Sequence, residues 1–511
     1  MRFNSQSLEI IAPGISLKPM TTTRLLRAQQ LTAVWKKAHL RQLESRWQQA
    51  SPQPLMDKAG LALAQLAQAL APHARQICVF AGPGNNGGDG LEAAMHLHSW
   101  GRPVQVRLLA DSVELPADAR RAYARTVEAG VVITPMTEPL TLGAQDLCID
   151  ALLGLGSTRE PQGALLAAIE QINQCEATVL AVDIPSGLHP DSGQAFGAAV
   201  VHADHTLTLL AAKPGLFMGI GRDVCGQLWL NDLDLPQTLL EATPPDAWLN
   251  QPTLPSTALH ASHKGTRGDV AVVGGQSASD GATGMTGAAV LAATAALHTG
   301  VGRVLLSLLG PAPAGTSWPA DLMQSRPEDL NLQSMTVVAG CGGGQAIAEH
   351  MGQLLQHSAR LVLDADALNV LSRDPWLQGL LKKRRPHTTA MTPHPLEAAR
   401  LLQTTTAHIQ SDRLEAARTL ADRYACCVAL KGSGTVLACP GEVPRINTTG
   451  NGRLATGGSG DVLAGMVGAR LAQSHDAWLA LQQAVWQHGQ MADTWPQDRA
   501  LTASALAQNL C

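Results

Sequence analysis

The residues best suited to chemistry lie in glycine-rich segments, and the first is GPGNNGGDG at 82–90, directly after the apolar run 77–81. Glycines let backbone N–H groups converge on an anion, and a helix expected to start near Leu91 adds its positive end. Asn85, Asn86 and Asp89 bring side-chain recognition to that cradle, alongside Gly87 and Gly88. Gly82, Gly84 and Gly87 also satisfy G-x-G-x-x-G, with Asp111 in the place of a ribose-binding acid. Alone, that motif fits a nicotinamide-dependent dehydrogenase or a plain strand-to-helix turn, so the remaining loops must decide.

Two more loops end apolar runs with polar residues: IDALLGLG at 149–156 and AVDIPSG at 181–187. Asp150 and Asp183 each stand where a strand runs out. Either residue type there can simply cap a helix or a turn. Both beside an Asn-rich anion loop make a ligand site the better reading. In the second half, Gly457, Gly458, Ser459 and Gly460 precede an amphipathic stretch and form an anion hole for a phosphoryl group in transit. Asp461 is placed to accept a hydroxyl proton, or only to complement the helix dipole. Lys431, Gly432, Ser433, Gly434 and Thr435 make a second phosphate-type loop. His394, in TPHP, either braces its loop or touches substrate, and Asp364 and Asp366 read as a metal pair or as a sheet-edge feature.

The elements that must position these groups follow from periodicity. Strands are expected at 77–81, 104–110, 147–150, 178–183 and 206–210, with helical text at 21–49 and 57–71. The proline-rich segment 236–255 reads as a linker. A second alternation places strands at 269–273, 303–309, 335–339, 361–364 and 428–430, and helices at 284–298, 344–356, 412–423 and 461–472. Alternating strands and helices imply parallel sheets covered on both faces, whose loops gather at one edge. No internal repeat links the halves. The expected fold class is α/β, a Rossmann-like three-layer domain over 1–235 followed by a second α/β domain over 256–511.

At 511 residues two domains are the default. A net charge of -4 and 3% aromatic residues give no case for nucleic acid or an anionic membrane as partner. Nine cysteines without a C-x-x-C read as reduced thiols of a cytoplasmic protein. No apolar run approaches the ~18 residues of a membrane helix. The arm at 21–49 is expected either to make a dimer contact or to cover its own sheet, and the chain is expected to form a homo-oligomer.

Residues 50–235 resemble the epimerase family that acts on hydrated NADH and NADPH, through LMDKAG at 55–60, GPGNNGGDG, IDALLGLGSTREPQG at 149–163 and VDIPSGLHPDSG at 182–193. The resemblance implies that Asn85, Asn86, Gly87, Gly88 and Asp89, with Gly154, Gly156 and Arg159, hold the phosphates and ribose of the hydrate. It also implies potassium at Asn86, Asp150 and Ser186, and Asp183 as acid/base at the nicotinamide ring. Oxygen donors of that kind suit a hard alkali cation.

Residues 256–511 resemble the ribokinase-like superfamily, and within it the nucleotide-dependent NAD(P)H-hydrate dehydratases. The text that carries this is HKGTRGDVAVVGG at 263–275, GMTGAAVLAATAAL at 284–297, LVLDADALNVL at 361–371, TPHPLEAARLL at 392–402, VALKGSGTVLA at 428–438 and GGSGD at 457–461. By that likeness Lys431 to Thr435 and Gly460 hold ADP, or ATP, with Mg2+. Ala288, Gly342, His394 and Asp461 face the hydrate. Phosphorylating the ring hydroxyl makes it a leaving group, and elimination restores the dihydronicotinamide, with ADP converted to AMP and phosphate. The combined expectation is a bifunctional repair enzyme for R and S hydrates. Two departures stand out: Gly340-Cys341-Gly342-Gly343-Gly344 replaces the usual G-P-G-x-G, and residues 276–284 differ from the common pattern. The rival readings are a kinase for a vitamin-like alcohol and a non-catalytic binding module in the first half.

Overall fold

The computed structural model describes residues 23–26, 32–136, 141–252, 260–278, 284–312 and 318–510. Two large sheets dominate. In the first, strands Gln227–Asn231, His205–Leu209, Thr178–Val182, Leu147–Ala151, Ile77–Ala81, Val104–Leu108 and Val132–Pro135 lie side by side and parallel, and Arg24–Leu25 adds an antiparallel edge. The order reverses between Ile77–Ala81 and Leu147–Ala151, which opens a crevice at the carboxyl ends of these strands.

Strand alternation produces the layers. Ile77, Val79 and Ala81 enter one core with helices Leu55–Leu70 and Asn85–Ser99, while Cys78 and Phe80 enter another against helix Ala164–Gln174. The second sheet repeats this plan. Val270 and Val272 pack with helices Thr286–His298, Ser459–Ser474 and Ala477–Asp493, whereas Ala271 and Val273 face helices Ile347–His357 and Arg413–Tyr424. Its parallel strands turn antiparallel from Cys427–Leu430 to Val436–Ala438.

Several expectations are corrected. The arm at 21–49 is not one helix: Arg24–Leu25 and Ala33–Val34 are strands, and only Lys37–Ala50 is helical. That helix covers its own chain, with Leu40, Leu43 and Trp47 in the core and the Trp47 indole donating to the Leu233 carbonyl at 2.9 Å. The helix expected near Leu91 begins at Asn85, because its glycines allow close approach to the sheet. A Cβ at Gly87 would collide with the Gly82 carbonyl, and one at Gly82 with the Leu152 carbonyl. The segment 236–255 contains helix Gln237–Glu241 and strand Ala247–Leu249, which joins the second sheet and pairs with Ala33–Val34. Cys427 and Cys439 form a disulfide, so the cysteines are not all thiols. A separation of 12 residues hides the pairing in the sequence; adjacent antiparallel strands bring their Cα atoms to 4.3 Å. Part of 276–284 lies outside the described residues. Among the described residues no helix is long and apolar enough to cross a membrane.

Candidate active site

At the crevice of the first sheet, the ends of three neighbouring strands bring Asp150, Asp183 and the Asn-rich helix start together. Asp150 is fully buried, and its carboxylate accepts hydrogen bonds from the Ser186 hydroxyl at 2.6 Å, the Ser186 amide at 2.8 Å and the Leu152 amide at 3.2 Å. Burial pushes its carboxyl up to about 6, and those donors pull the other way. The Ser186 hydroxyl also accepts from the Leu153 amide at 2.8 Å, while the Asn86 amide donates to the Leu153 carbonyl at 3.1 Å. Asn86 and Ser186 thus both bond Leu153, and Asp150 joins them through Ser186.

Asp183 lines a cavity of about 100 Å³ with Glu44, Asn85, Asp89, Leu155 and Leu209. Pockets that enclose a whole small molecule run to roughly 300–1,000 Å³, so this one is too small to enclose one completely. Asp183 has a left-handed backbone, φ 66°, fixed by its amide donating to Leu207 at 2.7 Å. Such a conformation costs about 1–3 kcal/mol outside glycine and persists where the surroundings enforce it. Its carboxylate accepts from the Leu209 amide at 3.2 Å and is ion-paired to the buried Lys213 ammonium. Lys213 also donates to the Thr208 hydroxyl at 2.8 Å and the Leu209 carbonyl at 2.7 Å. Asp89 is raised well above the carboxylate range by burial and then by the charges of Asp183, Glu44 and Glu92. Glu44 is raised for the same two reasons, burial before Asp183.

Sequence reasoning missed Lys213 and Glu44. Lys213 had a signal, a single charge in the apolar text LTLLAAKPGLF; Glu44 had none. The buried Gly87 and Gly88 sit in the first turns of the helix. Gly154 packs against the Asn86 side chain. Gly156 and Arg159 are exposed and do not line the cavity, and Asp111 caps its own short turn by accepting from the Val113 amide at 3.2 Å.

The second sheet reverses between Asp269–Gly274 and Thr336–Ala339, and the second group of residues collects there. Gly342, at φ 59°, lies against Ala288, whose side chain a Cβ at Gly342 would approach to 2.9 Å. Asp461 occupies the first turn of helix Ser459–Ser474, which begins after the left-handed Gly458. Burial and then the Asp364 charge push its carboxyl up to about 6, opposed by a hydrogen bond from the Cys341 thiol and by Lys431. Lys431 donates to the buried Asp364 carboxylate at 2.7 Å and lies beside Gly460. Asp364 is held above the usual range by burial. Asp366 accepts from the Gly344 amide at 2.8 Å, so the two aspartates have separate partners.

The loop holding Lys431 is built from beneath by the buried Arg413, whose guanidinium donates to the carbonyls of Leu430 at 3.0 Å, Lys431 at 3.3 Å and Gly434 at 3.4 Å. Ser433 faces the first half of the chain: its hydroxyl donates to the Gly219 carbonyl at 2.8 Å and its carbonyl accepts from the Gly219 amide at 3.2 Å. The Thr435 hydroxyl donates to the exposed Gly432 at 3.1 Å. His394 caps helix Pro395–Leu402, with Nδ1 accepting from the Leu396 amide at 3.1 Å and Nε2 facing Glu397 at 3.2 Å. Both ring nitrogens therefore serve the loop. The buried His488, lowered to about 4 by burial, supports the Ser459 carbonyl at 3.0 Å and was not legible in the sequence.

Residues 52–215 match the family described as YjeF-related protein N-terminus, and residues 272–511 the family described as NAD(P)H-hydrate dehydratase. The chain is 37% identical over 462 residues to the bifunctional NAD(P)H-hydrate repair enzyme of Escherichia coli strain K12, covering 86% of this chain and 84% of that one. Its counterpart from Coxiella burnetii is 32% identical over 498 residues, covering 94% and 99%. The solved structure of the ADP/ATP-dependent NAD(P)H-hydrate dehydratase of Bacillus subtilis, co-crystallised with ATP and Mg2+, shares 28% identity at a TM-score of 0.40, covering 50% of this chain and 91% of that one.

Proposed function

The chain belongs to the family of bifunctional NAD(P)H-hydrate repair enzymes, and from that premise we propose how its residues divide the work. It is an epimerase for the R and S hydrates of NADH and NADPH and a nucleotide-dependent dehydratase for the S form. We assign epimerisation to residues 1–235 and dehydration to residues 256–511, joined through 236–255.

In the first unit Asp183 exchanges a proton with the ring hydroxyl, and Lys213 holds that carboxylate in place. Asn85, Asn86, Gly87, Gly88 and Asp89 receive the phosphates and ribose at the helix start, with Gly154, Gly156 and Arg159 closing over them when substrate binds. The donor set Asn86, Asp150 and Ser186 fits potassium: the atoms are hard, and all three hydrogen bonds to the buried Asp150 come from uncharged groups. The ion would supply positive charge beside the substrate phosphates.

In the second unit Asp461 takes the proton of the hydrate hydroxyl as the phosphoryl group arrives at the helix N-terminus. Lys431, Gly432, Ser433, Gly434, Thr435 and Gly460 hold the nucleotide, with ADP as donor; Mg2+ bound with it would supply positive charge at its phosphates. Ala288 and Gly342 shape the ring site. His394 acts by positioning the loop beside Lys431, whose amide donates to the Pro393 carbonyl at 2.9 Å. A cytoplasmic, homo-oligomeric enzyme completes the reading.

The observation that carries this reading is the position of Asp183 in the lining of the first cavity, ion-paired to Lys213, and of Asp461 at the glycine-rich helix start near Lys431. The test is recovery of dihydronicotinamide absorbance from mixed hydrates with ADP and Mg2+. Complete recovery with stoichiometric AMP is expected, and recovery limited to the S fraction in Asp183→Asn. A stable phosphorylated alcohol as product would favour a kinase instead.

A further inference from the structure

Away from both crevices, three metal-ligating side chains from three elements meet at the base of one hairpin. Strands Cys427–Leu430 and Val436–Ala438 form the hairpin, and residues 431–435 are its tip. At the open end the buried Cys427 and Cys439 face each other and are disulfide-bonded. His387, in the turn before strand Thr389–Met391, brings Nε2 to 4.0 Å from the Cys439 sulfur. One ligand atom from each of the three residues lies within 4.8 Å of the others.

The histidine is held in one orientation. Its Nδ1 stands 3.1 Å from an Asp476 carboxylate oxygen, and its carbonyl accepts from the Ala477 amide at 2.8 Å. Asp476 is itself fixed as the cap of helix Ala477–Asp493, accepting from the Trp478 amide at 2.8 Å. A carboxylate only accepts, so the proton belongs on Nδ1 and the Nε2 lone pair faces the sulfurs. The backbone of His387 is left-handed at φ 59°, a conformation seldom kept without cause in a non-glycine residue. A histidine with one nitrogen on a carboxylate and the other toward thiols is the arrangement found around bound zinc.

We propose that His387, Cys427 and Cys439 form a binding site for a thiophilic divalent cation of the zinc class, with the disulfide as its oxidised, metal-free state. A dithiol reductant supplies two electrons and two protons: the Cys427–Cys439 bond breaks, two thiols form, and the reductant closes into its own disulfide. The cation then displaces the two thiol protons to solvent and forms two metal–sulfur bonds and one metal–nitrogen bond. Zinc bonds of about 2.3 Å to sulfur and 2.0–2.1 Å to nitrogen put tetrahedral ligands roughly 3.5–3.8 Å apart, close to the spacing of His387 and Cys439. The soft donor set selects against Mg2+ and K+, which keeps this site chemically separate from the crevices. Either state clamps the hairpin that presents residues 431–435; the reduced, metal-free chain would hold that base through its strand ladder alone.

The test uses the full-length protein, reduced and dialysed free of metal, with cobalt(II) as the spectroscopic probe and zinc as competitor. One cobalt ion should bind with a thiolate charge-transfer band, zinc should displace it, and the oxidised protein should show no band. Cys427→Ser should remove the band, and Asp476→Asn should weaken binding by about 10–100-fold. Zinc should raise the Tm of the reduced wild-type protein and leave that of the oxidised protein unchanged. A reduced protein without the band, a band surviving in Cys427→Ser, or unchanged affinity in His387→Gln would each overturn the proposal.

Discussion

Acidifying the assay should silence dehydration, because Asp461 must be ionised to take the hydroxyl proton. Burial first, then the charge of Asp364, lift its carboxyl from 3.8 to about 6. That difference corresponds to about 3 kcal/mol of disfavoured charge. With one ionisation at about 6, kcat/KM for the S hydrate should be half its plateau near pH 6 and roughly a tenth near pH 5. Two variants should displace this acid limb in opposite directions. Asp364→Asn removes the neighbouring negative charge and frees Lys431, so the limb moves down; Cys341→Ala removes the thiol hydrogen bond, so it moves up. The assay follows returning dihydronicotinamide absorbance at constant ionic strength, with ADP and Mg2+ saturating at every pH. A limb that stays in place in both variants would belong to the nucleotide or the hydrate, and the assignment of Asp461 as base would fail.

Three other outcomes follow from the same geometry. Lys213→Met leaves Asp183 without its buried counter-charge, which should cost about 3–5 kcal/mol and abolish epimerisation while S-hydrate dehydration persists; denaturant melts and the two assays decide. Arg413→Met unties three carbonyls beneath the hairpin tip, so the KM for nucleotide should rise more than kcat falls, with stability down by about 3 kcal/mol; an unchanged KM would separate Arg413 from nucleotide binding. For Asp150, raised to about 6 from 3.8 by burial, the folded state favours the protonated form, so its contribution to stability is present below about pH 4 and is lost as pH rises through about 6. A cation bound to the ionised carboxylate offsets that loss. Potassium should therefore raise the Tm above about pH 6, with affinity falling about tenfold per pH unit below it, and equal Tm shifts at pH 5 and 8 would contradict the site.

Much of this protein could be read from the order of its residues. Alternation of short apolar runs with amphipathic stretches marked the central strands at Ile77–Ala81, Leu147–Ala151 and Thr178–Val182, because buried parallel strands must be apolar on both faces. Glycine spacing and strand-end aspartates marked both crevices, since local backbone demands are written locally. What the sequence could not express were partnerships between distant segments. Lys213 meets Asp183 only because neighbouring parallel strands run in register, and Glu44 reaches the same cavity only because helix Lys37–Ala50 folds back over it. The short strands Arg24–Leu25 and Ala33–Val34 lay in helical-looking text, and pairing with Gln227–Asn231 and Ala247–Leu249 overrode that local preference. The Cys427–Cys439 pair with His387 is likewise a product of strand adjacency. Residue type and short spacing determined what chemistry each segment can offer; three-dimensional packing decided which groups meet, because burial and pairing energies depend on neighbours that chain order does not name.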